Sequence, residues 1–155
     1  MGPDDVAAPA GAALVSVGYE GRGLPELVAL LRGHGVTVLV DVRLNAVSRK
    51  PGLAKTKLRE GLAQAGIGYR HARALGNPPE NRAAFRAGDA ERGLTVFARL
   101  LVQPAAVEEL AVLVGLLATE RVAVLCFERE HHRCHRQAVV GLLADRTGLP
   151  VLTLE

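Results

Sequence analysis

The chain has 155 residues, of which 49% are hydrophobic and 23% are charged. This length and balance are typical of one packed globular domain and exclude a largely disordered protein. The formal net charge of +3 allows phosphate-bearing partners without requiring them.

No stretch of the sequence has the length and apolarity of a membrane span, and no secretory signal pattern is present. We therefore expect a cytoplasmic protein without a membrane partner. Its two cysteines, Cys126 and Cys134, lie where a thiol or metal role competes with a disulfide, and a reducing compartment is favoured.

The predicted elements begin after residues 1–12, which have no hydrophobic period and are interpreted as a disordered leader before a single domain at 13–155. Residues 14–17 and 36–42 are apolar, β-branched runs typical of strands buried on both faces. Between them, Pro25 opens a helical stripe, so the three segments predict a βαβ unit.

The later segments continue this alternation. They predict a helix at 57–65, a strand at 67–70, a helical crossover at 80–120, a strand at 122–126, a helix at 134–145 and a strand at 151–154. The pattern indicates an α/β three-layer sandwich with a five-stranded, mainly parallel sheet in the order 3-2-1-4-5. Ligands of such sheets bind at the carboxyl ends of the strands, where the loops at Gly18 and Phe127 should face each other.

The loop after the first predicted strand is rich in glycine. Gly18 and its neighbours would let the backbone approach an anion, with Tyr19 and Arg22 as further substrate contacts. Glu20 is a candidate general base or ligand anchor. A plain tight turn is the alternative, and the glycine spacing does not fit a dinucleotide site.

A second cluster follows the second predicted strand. Asp41 and Arg43 stand two apart on an extended segment, so their side chains point to the same side and can form an ion pair. The candidates for binding substrate here are Asp41, Arg43, Asn45, Ser48, Arg49 and Lys50. Their hydroxyl and cationic groups suit phosphate, and a merely solvated basic face is the alternative.

The third cluster runs from Cys126 to Arg136, across the start of the helix predicted at 134–145. Cys134 would lie at the helix N-terminus, where the helix dipole and Arg136 should lower the pKa of its thiol and favour the nucleophilic thiolate. His135 or Glu128 would then move protons. Ordinary core cysteines are the alternative. We predict no cofactor, although Cys126, Cys134 and His135 remain a weaker alternative as metal ligands, because their spacing is unlike that of structural zinc sites.

Five motifs in order resemble a widespread bacterial and archaeal family, domain-of-unknown-function family 488. They are Gly-Tyr-Glu-Gly-Arg at 18–22, Asp-Val-Arg-Leu-Asn at 41–45, Ser-Arg-Lys-Pro-Gly at 48–52, Leu-Gly-Asn-Pro at 75–78 and Cys-His-Arg at 134–136. The resemblance covers about residues 15–145, departs from the family pattern at Ala46, Val47, His131 and His132, and adds Asn77 to the candidate site. It implies a fold and a motif-bearing site, but no reaction.

The leading hypothesis is an enzyme, a hydrolase or thiol-dependent transferase, acting on a phosphate-bearing small molecule or nucleic acid. The groups predicted to hold the anion are Arg22, Arg43, Lys50 and Arg136, with Glu20 or Cys134 doing the chemistry. Two alternatives stay open: a non-catalytic nucleic-acid-binding module, and a metal or redox protein using Cys126 and Cys134.

Overall fold

Five parallel strands form one sheet in the computed structural model, which describes residues 12–155. The strands are β1 (Ala13–Gly18), β2 (Val38–Asp41), β3 (Gly68–His71), β4 (Arg121–Cys126) and β5 (Val151–Leu154). The helices are α1 (Leu24–Gly33), α2 (Lys55–Gln64), α3 (Pro79–Arg86), α4 (Ala90–Leu101), α5 (Pro104–Leu116) and α6 (Arg136–Thr147). Short 3-10 turns occupy Arg73–Leu75 and His131–Arg133.

Local sequence signals explain where several helices begin and end. A proline lies in the first turn of α1, α3 and α5, where its missing N–H costs no helical hydrogen bond. The Asp89 side chain accepts a hydrogen bond from the Arg92 N–H and so caps α4. No helix within residues 12–155 is both long and apolar enough to cross a membrane.

The sheet lies between two helical layers, which confirms the three-layer α/β architecture. One apolar core packs α1 and α2 against the sheet, and the other packs α4, α5 and α6 against the opposite face. Buried on both sides, β4 is accordingly apolar from Val122 to Cys126, and the central residues of β1 are apolar except for the buried Ser16.

The observed strand order is β3-β2-β4-β1-β5, so the predicted order 3-2-1-4-5 was wrong in exchanging β1 and β4. Both are six-residue strands buried on both faces, so their patterns do not distinguish the two positions. The consequence is functional: the carboxyl end of β4 neighbours those of both β1 and β2, with Cys126 opposite Gly18 and Leu125 opposite Asp41. Apart from residue 12, the predicted disordered leader lies outside the described residues.

Candidate active site at the carboxyl ends of β1, β2 and β4

A cavity of about 470 Å³ opens where β1, β2 and β4 end, and we call it the carboxyl-end cavity. The predicted site residues that line it are Tyr19, Glu20, Arg43, Asn45, Asn77, Cys126, Glu128, Cys134 and His135. Other predicted residues do not line it, namely Gly18, Arg22, Asp41, Ser48, Arg49, Lys50 and Arg136. The structure thus brings the three sequence clusters together, as the shared edge of a parallel sheet requires.

The loops after β1 and β4 are joined along their backbones. The Tyr19 N–H donates to the Cys126 carbonyl oxygen at 3.3 Å, and the Glu20 N–H donates to that of Phe127 at 2.8 Å. A Cβ at Gly18 would lie 1.9 Å from the Glu128 carbonyl oxygen, so only glycine allows this approach.

The pairing of the loops after β1 and β4 holds the carboxylate of Glu20 at the cavity. Its Oε1 accepts a hydrogen bond from the Arg129 N–H at 3.0 Å. Its Oε2 has no hydrogen-bond partner among residues 12–155, and the side chain is exposed. Glu20 therefore combines a held position with a free acceptor oxygen.

The predicted ion pair of Asp41 and Arg43 is confirmed. The Asp41 carboxylate is fully buried and accepts from Arg43 Nε at 2.9 Å, from Arg43 Nη2 at 2.7 Å and from the Tyr69 hydroxyl at 2.6 Å. Burial alone would lower the pKa of Arg43, but the hydrogen bonds and charge of Asp41 raise it above its ordinary value. Arg43 Nη1 donates to the Leu53 carbonyl oxygen at 2.8 Å, so this guanidinium chiefly braces the cavity wall.

Two thiols and an imidazole meet at the cavity. His135 Nδ1 lies 3.6 Å from the Sγ of Cys134 and 3.9 Å from that of Cys126. His135 Nε2 lies 3.0 Å from the Val42 carbonyl oxygen, which can only accept, so the Nε2–H is the donor. In the neutral ring, Nδ1 then carries the lone pair and faces the sulfur atoms.

The expected low pKa of Cys134 was wrong. Burial, followed by the neighbouring Cys126, raises the pKa of the Cys134 thiol well above its ordinary value, because a thiolate there would lose its hydration. Only 1% of Cys134 is exposed, and helix α6 begins two residues later, at Arg136. The sequence placed the thiol near a helix N-terminus but carried no sign that it would be covered.

All four cations predicted to hold an anion donate to backbone carbonyl oxygens, and the contact of Arg43 is with Leu53. Arg22 donates to the carbonyl oxygens of Gly18 and Glu155, and Lys50 Nζ donates to those of Tyr19 and Arg22. The completely buried Arg136 donates to Ser16 Oγ and to two carbonyl oxygens of the loop after β4, those of Glu128 and Arg129. Their geometry indicates that these side chains support the loops that shape the cavity.

Three other arginines line the cavity and were missed. Arg82 and Arg86 stand one turn apart on α3, and Arg133 follows the loop after β4. Arg82 and Arg86 have neither an ion-pair nor a side-chain hydrogen-bond partner within residues 12–155, whereas Arg133 lies 3.7 Å from the exposed Glu130. The sequence signal that could have found Arg82 and Arg86 is their spacing of four residues, which places them on one face of a helix. The sequence alone did not show that this face would meet the cavity.

Part of the cavity wall is apolar and exposed. Phe127 and Val47 are 41% and 71% exposed, and both line the cavity beside Leu44 and Phe85. Phe127 packs edge-on against Tyr19, with their ring centroids 5.3 Å apart. The cavity thus offers apolar and cationic surfaces to one ligand.

A family model described as "Domain of unknown function DUF488" matches residues 23–143. The chain belongs to the DUF488 family. This confirms the family expected from the five motifs, of which all but the 18–22 loop lie in the matched segment. The chain matches no curated protein and no solved structure.

The matched part of this DUF488 chain contains most of the cavity, including α3 with its two arginines and the segment from Cys126 to His135. In chemical terms the cavity holds two cations without a partner among residues 12–155, a positioned carboxylate, a pair of thiols with an imidazole and an aromatic wall. Such a set can bind an anion, activate water or coordinate a thiophilic metal.

Proposed function

We propose that this DUF488 protein is a hydrolase acting on a phosphate-bearing substrate of nucleotide size in the carboxyl-end cavity. The observation that carries the proposal is the presence in one cavity of two arginines, Arg82 and Arg86, that are unpaired within the described part of the chain, together with the positioned carboxylate of Glu20.

The two arginines support anion binding. Like charges at positions i and i+4 destabilise a helix by about 0.2–0.5 kcal/mol, and α3 is only eight residues long. A phosphate between them would relieve this repulsion, and guanidinium groups bind phosphate oxygens through paired hydrogen bonds. Arg133 supplies a third cation at the same cavity.

The size and the apolar wall favour a nucleotide. A cavity of about 470 Å³ lies within the ordinary range for small-molecule sites. The exposed ring of Phe127 offers a surface on which a nucleobase can stack. A phosphate with a planar, partly apolar group attached therefore matches the lining better than inorganic phosphate does.

Glu20 is the residue we assign to the reaction. One of its oxygens is held by the Arg129 N–H and the other is free to accept a proton from water, as general base catalysis requires. A thiol-dependent transfer through Cys134 is less favoured, because burial keeps that thiol protonated.

Binding is tested first, by calorimetric titration with AMP, inorganic phosphate and a short 5′-phosphorylated oligonucleotide. We expect AMP to bind more tightly than phosphate, and Arg82→Gln/Arg86→Gln to weaken AMP binding by roughly 10- to 100-fold per lost charged hydrogen bond. The matched control is Arg92→Gln/Arg99→Gln, because both arginines are exposed on α4 and lie outside the cavity. Equal binding by the two double variants would contradict the site.

Catalysis is tested on ligands that bind, by mass spectrometry of the products after incubation. Glu20→Gln should slow hydrolysis by about 100-fold or more while leaving binding intact, and Glu108→Gln, exposed on α5, should not. If bound ligands are never converted by the wild-type protein, the hydrolase is refuted. Binding of the oligonucleotide that falls steeply with salt, without turnover, would instead indicate the nucleic-acid-binding alternative.

A further inference from the structure

The cluster of Cys126, Cys134 and His135 plays no part in the proposed hydrolysis. Its two sulfur atoms and one imidazole nitrogen all lie within 4.8 Å of one another, and all three residues line the carboxyl-end cavity. We propose that these side chains form a zinc site with an open coordination position toward the cavity. The site does not rest on the proposed function, since it uses none of the residues assigned to phosphate binding or water activation.

The distances fit tetrahedral coordination. Zinc–sulfur bonds of about 2.3 Å and zinc–nitrogen bonds of about 2.0–2.1 Å, at tetrahedral angles, place sulfur and nitrogen ligands about 3.5–3.6 Å apart. The Nδ1 of His135 lies 3.6 Å from the Cys134 sulfur and 3.9 Å from the Cys126 sulfur. These two separations are within a few tenths of an ångström of the tetrahedral values. The two sulfur atoms lie within 4.8 Å of each other, so a movement of up to about 1 Å would bring all three atoms onto one ion.

The orientation of His135 is an independent observation. Its Nε2–H donates to the Val42 carbonyl oxygen at 3.0 Å, and its ring packs edge-on against Phe97 at a centroid distance of 5.0 Å. Metal-ligating histidines are held in this way, with one ring nitrogen donating to a carbonyl or carboxylate and the other free to coordinate. The Val42 carbonyl oxygen, just after β2, therefore fixes the tautomer of His135 and the direction of its Nδ1 lone pair.

The donor set selects the class of metal. Two thiols and one imidazole favour a thiophilic ion such as Zn²⁺ over magnesium or calcium, which prefer oxygen. Coordination would form two Zn–S bonds and one Zn–N bond and release two thiol protons to water, with no change of oxidation state. Three protein ligands leave a fourth position, the arrangement of catalytic zinc sites.

The sequence alone supports these three residues only as a weaker alternative for metal binding, because their spacing is unlike that of structural zinc sites. Cys134 and His135 are adjacent in the chain, and the side chains of adjacent residues on a helix point in different directions. Here, however, the helix begins only at Arg136. Cys134 is extended, with φ −133° and ψ 147°, so the two adjacent side chains can converge on Cys126 at the end of β4.

The test is titration of fully reduced, metal-free protein with Co²⁺, followed by visible and near-ultraviolet absorption. We expect one equivalent to produce the intense d–d bands of tetrahedral cobalt and a sulfur-to-cobalt charge-transfer band, both of which Zn²⁺ then abolishes. In Cys134→Ser and Cys126→Ser the charge-transfer band should weaken or vanish, and cobalt should bind more than roughly 100-fold less tightly, beyond the effect of typical outer-shell changes. His132→Gln is the matched control, because His132 is exposed and outside the cluster, and it should bind cobalt as the wild type does.

A second measurement avoids the cysteine variants, whose buried positions could affect folding. Zinc that binds the folded state should raise the melting temperature of the wild type and of His132→Gln equally, by mass action. The proposal is overturned if reduced wild-type protein shows neither the cobalt bands nor the shift in melting temperature. It is also overturned if folded Cys134→Ser gives the wild-type cobalt spectrum and affinity.

Discussion

Replacing Asp41 by asparagine should be among the most destabilising single substitutions near the cavity, because it leaves the buried cation of Arg43 without its counter-ion. Asp41 is fully buried and Arg43 is 5% exposed, and their closest contact is 2.7 Å. Removing one partner of a buried ion pair costs about 3–5 kcal/mol, since the remaining charge has neither water nor a counter-ion. The Tyr69 hydroxyl also loses a charged acceptor.

The protein contains its own control for this prediction. Arg70 and Glu109 form a second two-pronged pair, with contacts of 2.6 Å and 2.9 Å, but the Arg70 side chain is 42% exposed. Water can replace its lost partner, so Glu109→Gln should cost no more than about 1 kcal/mol.

Urea unfolding followed by far-ultraviolet circular dichroism gives both free energies of unfolding. In a domain of ordinary stability, about 5–15 kcal/mol, the loss expected for Asp41→Asn is a large fraction of the total. The double variant Asp41→Asn/Arg43→Met should recover part of that loss, because it removes the stranded charge as well. Equal costs for Asp41→Asn and Glu109→Gln would refute the reasoning.

Two further predictions concern His131 and the glycines. Burial, then the charges of Arg136 and His132, lower the pKa of His131 to about 4, below the unfolded value of about 6.5, so its unfolded form binds more protons. The free energy of unfolding should therefore fall as pH drops. Measured by urea titration between about pH 7 and about pH 5, the wild type should lose about 2 kcal/mol more of this free energy than His131→Asn does. Equal losses in the two proteins would contradict a buried, neutral His131 ring. In thermal melts, Gly76→Ala should destabilise by about 1–3 kcal/mol, because its Cβ would lie 2.3 Å from Leu44 Cα, whereas Gly115→Ala, with nothing within 4 Å, should be neutral or stabilising. Tolerance of both glycine substitutions would show that the Gly76 approach is not tight.

The architecture could be predicted because hydrophobic period is a local property. Alternating apolar strands and helices indicated the parallel sheet, and the shared edge of such a sheet then implied that the loops after β1, β2 and β4 would meet. The spacing of Asp41 and Arg43 similarly implied their ion pair.

What the sequence could not predict depends on tertiary contacts. The order of β1 and β4 was exchanged because both strands are buried on both faces. The pKa of Cys134 was expected to fall because a helix N-terminus was visible in the sequence and the burial of the sulfur was not. Arg82 and Arg86 were overlooked because their helix was read as part of a crossover, and only the packed structure shows that this face meets the cavity.

Phosphate-ligand binding in the carboxyl-end cavity is tested most directly by titrating isotopically labelled protein with AMP and following the backbone amide resonances by NMR. The account predicts saturable shifts concentrated at Glu20, Arg86, Phe127 and Arg133, all of which line the cavity. Shifts confined to other surfaces, such as the exposed face of α4 around Arg92 and Arg99, or no saturable shifts at all, would contradict it.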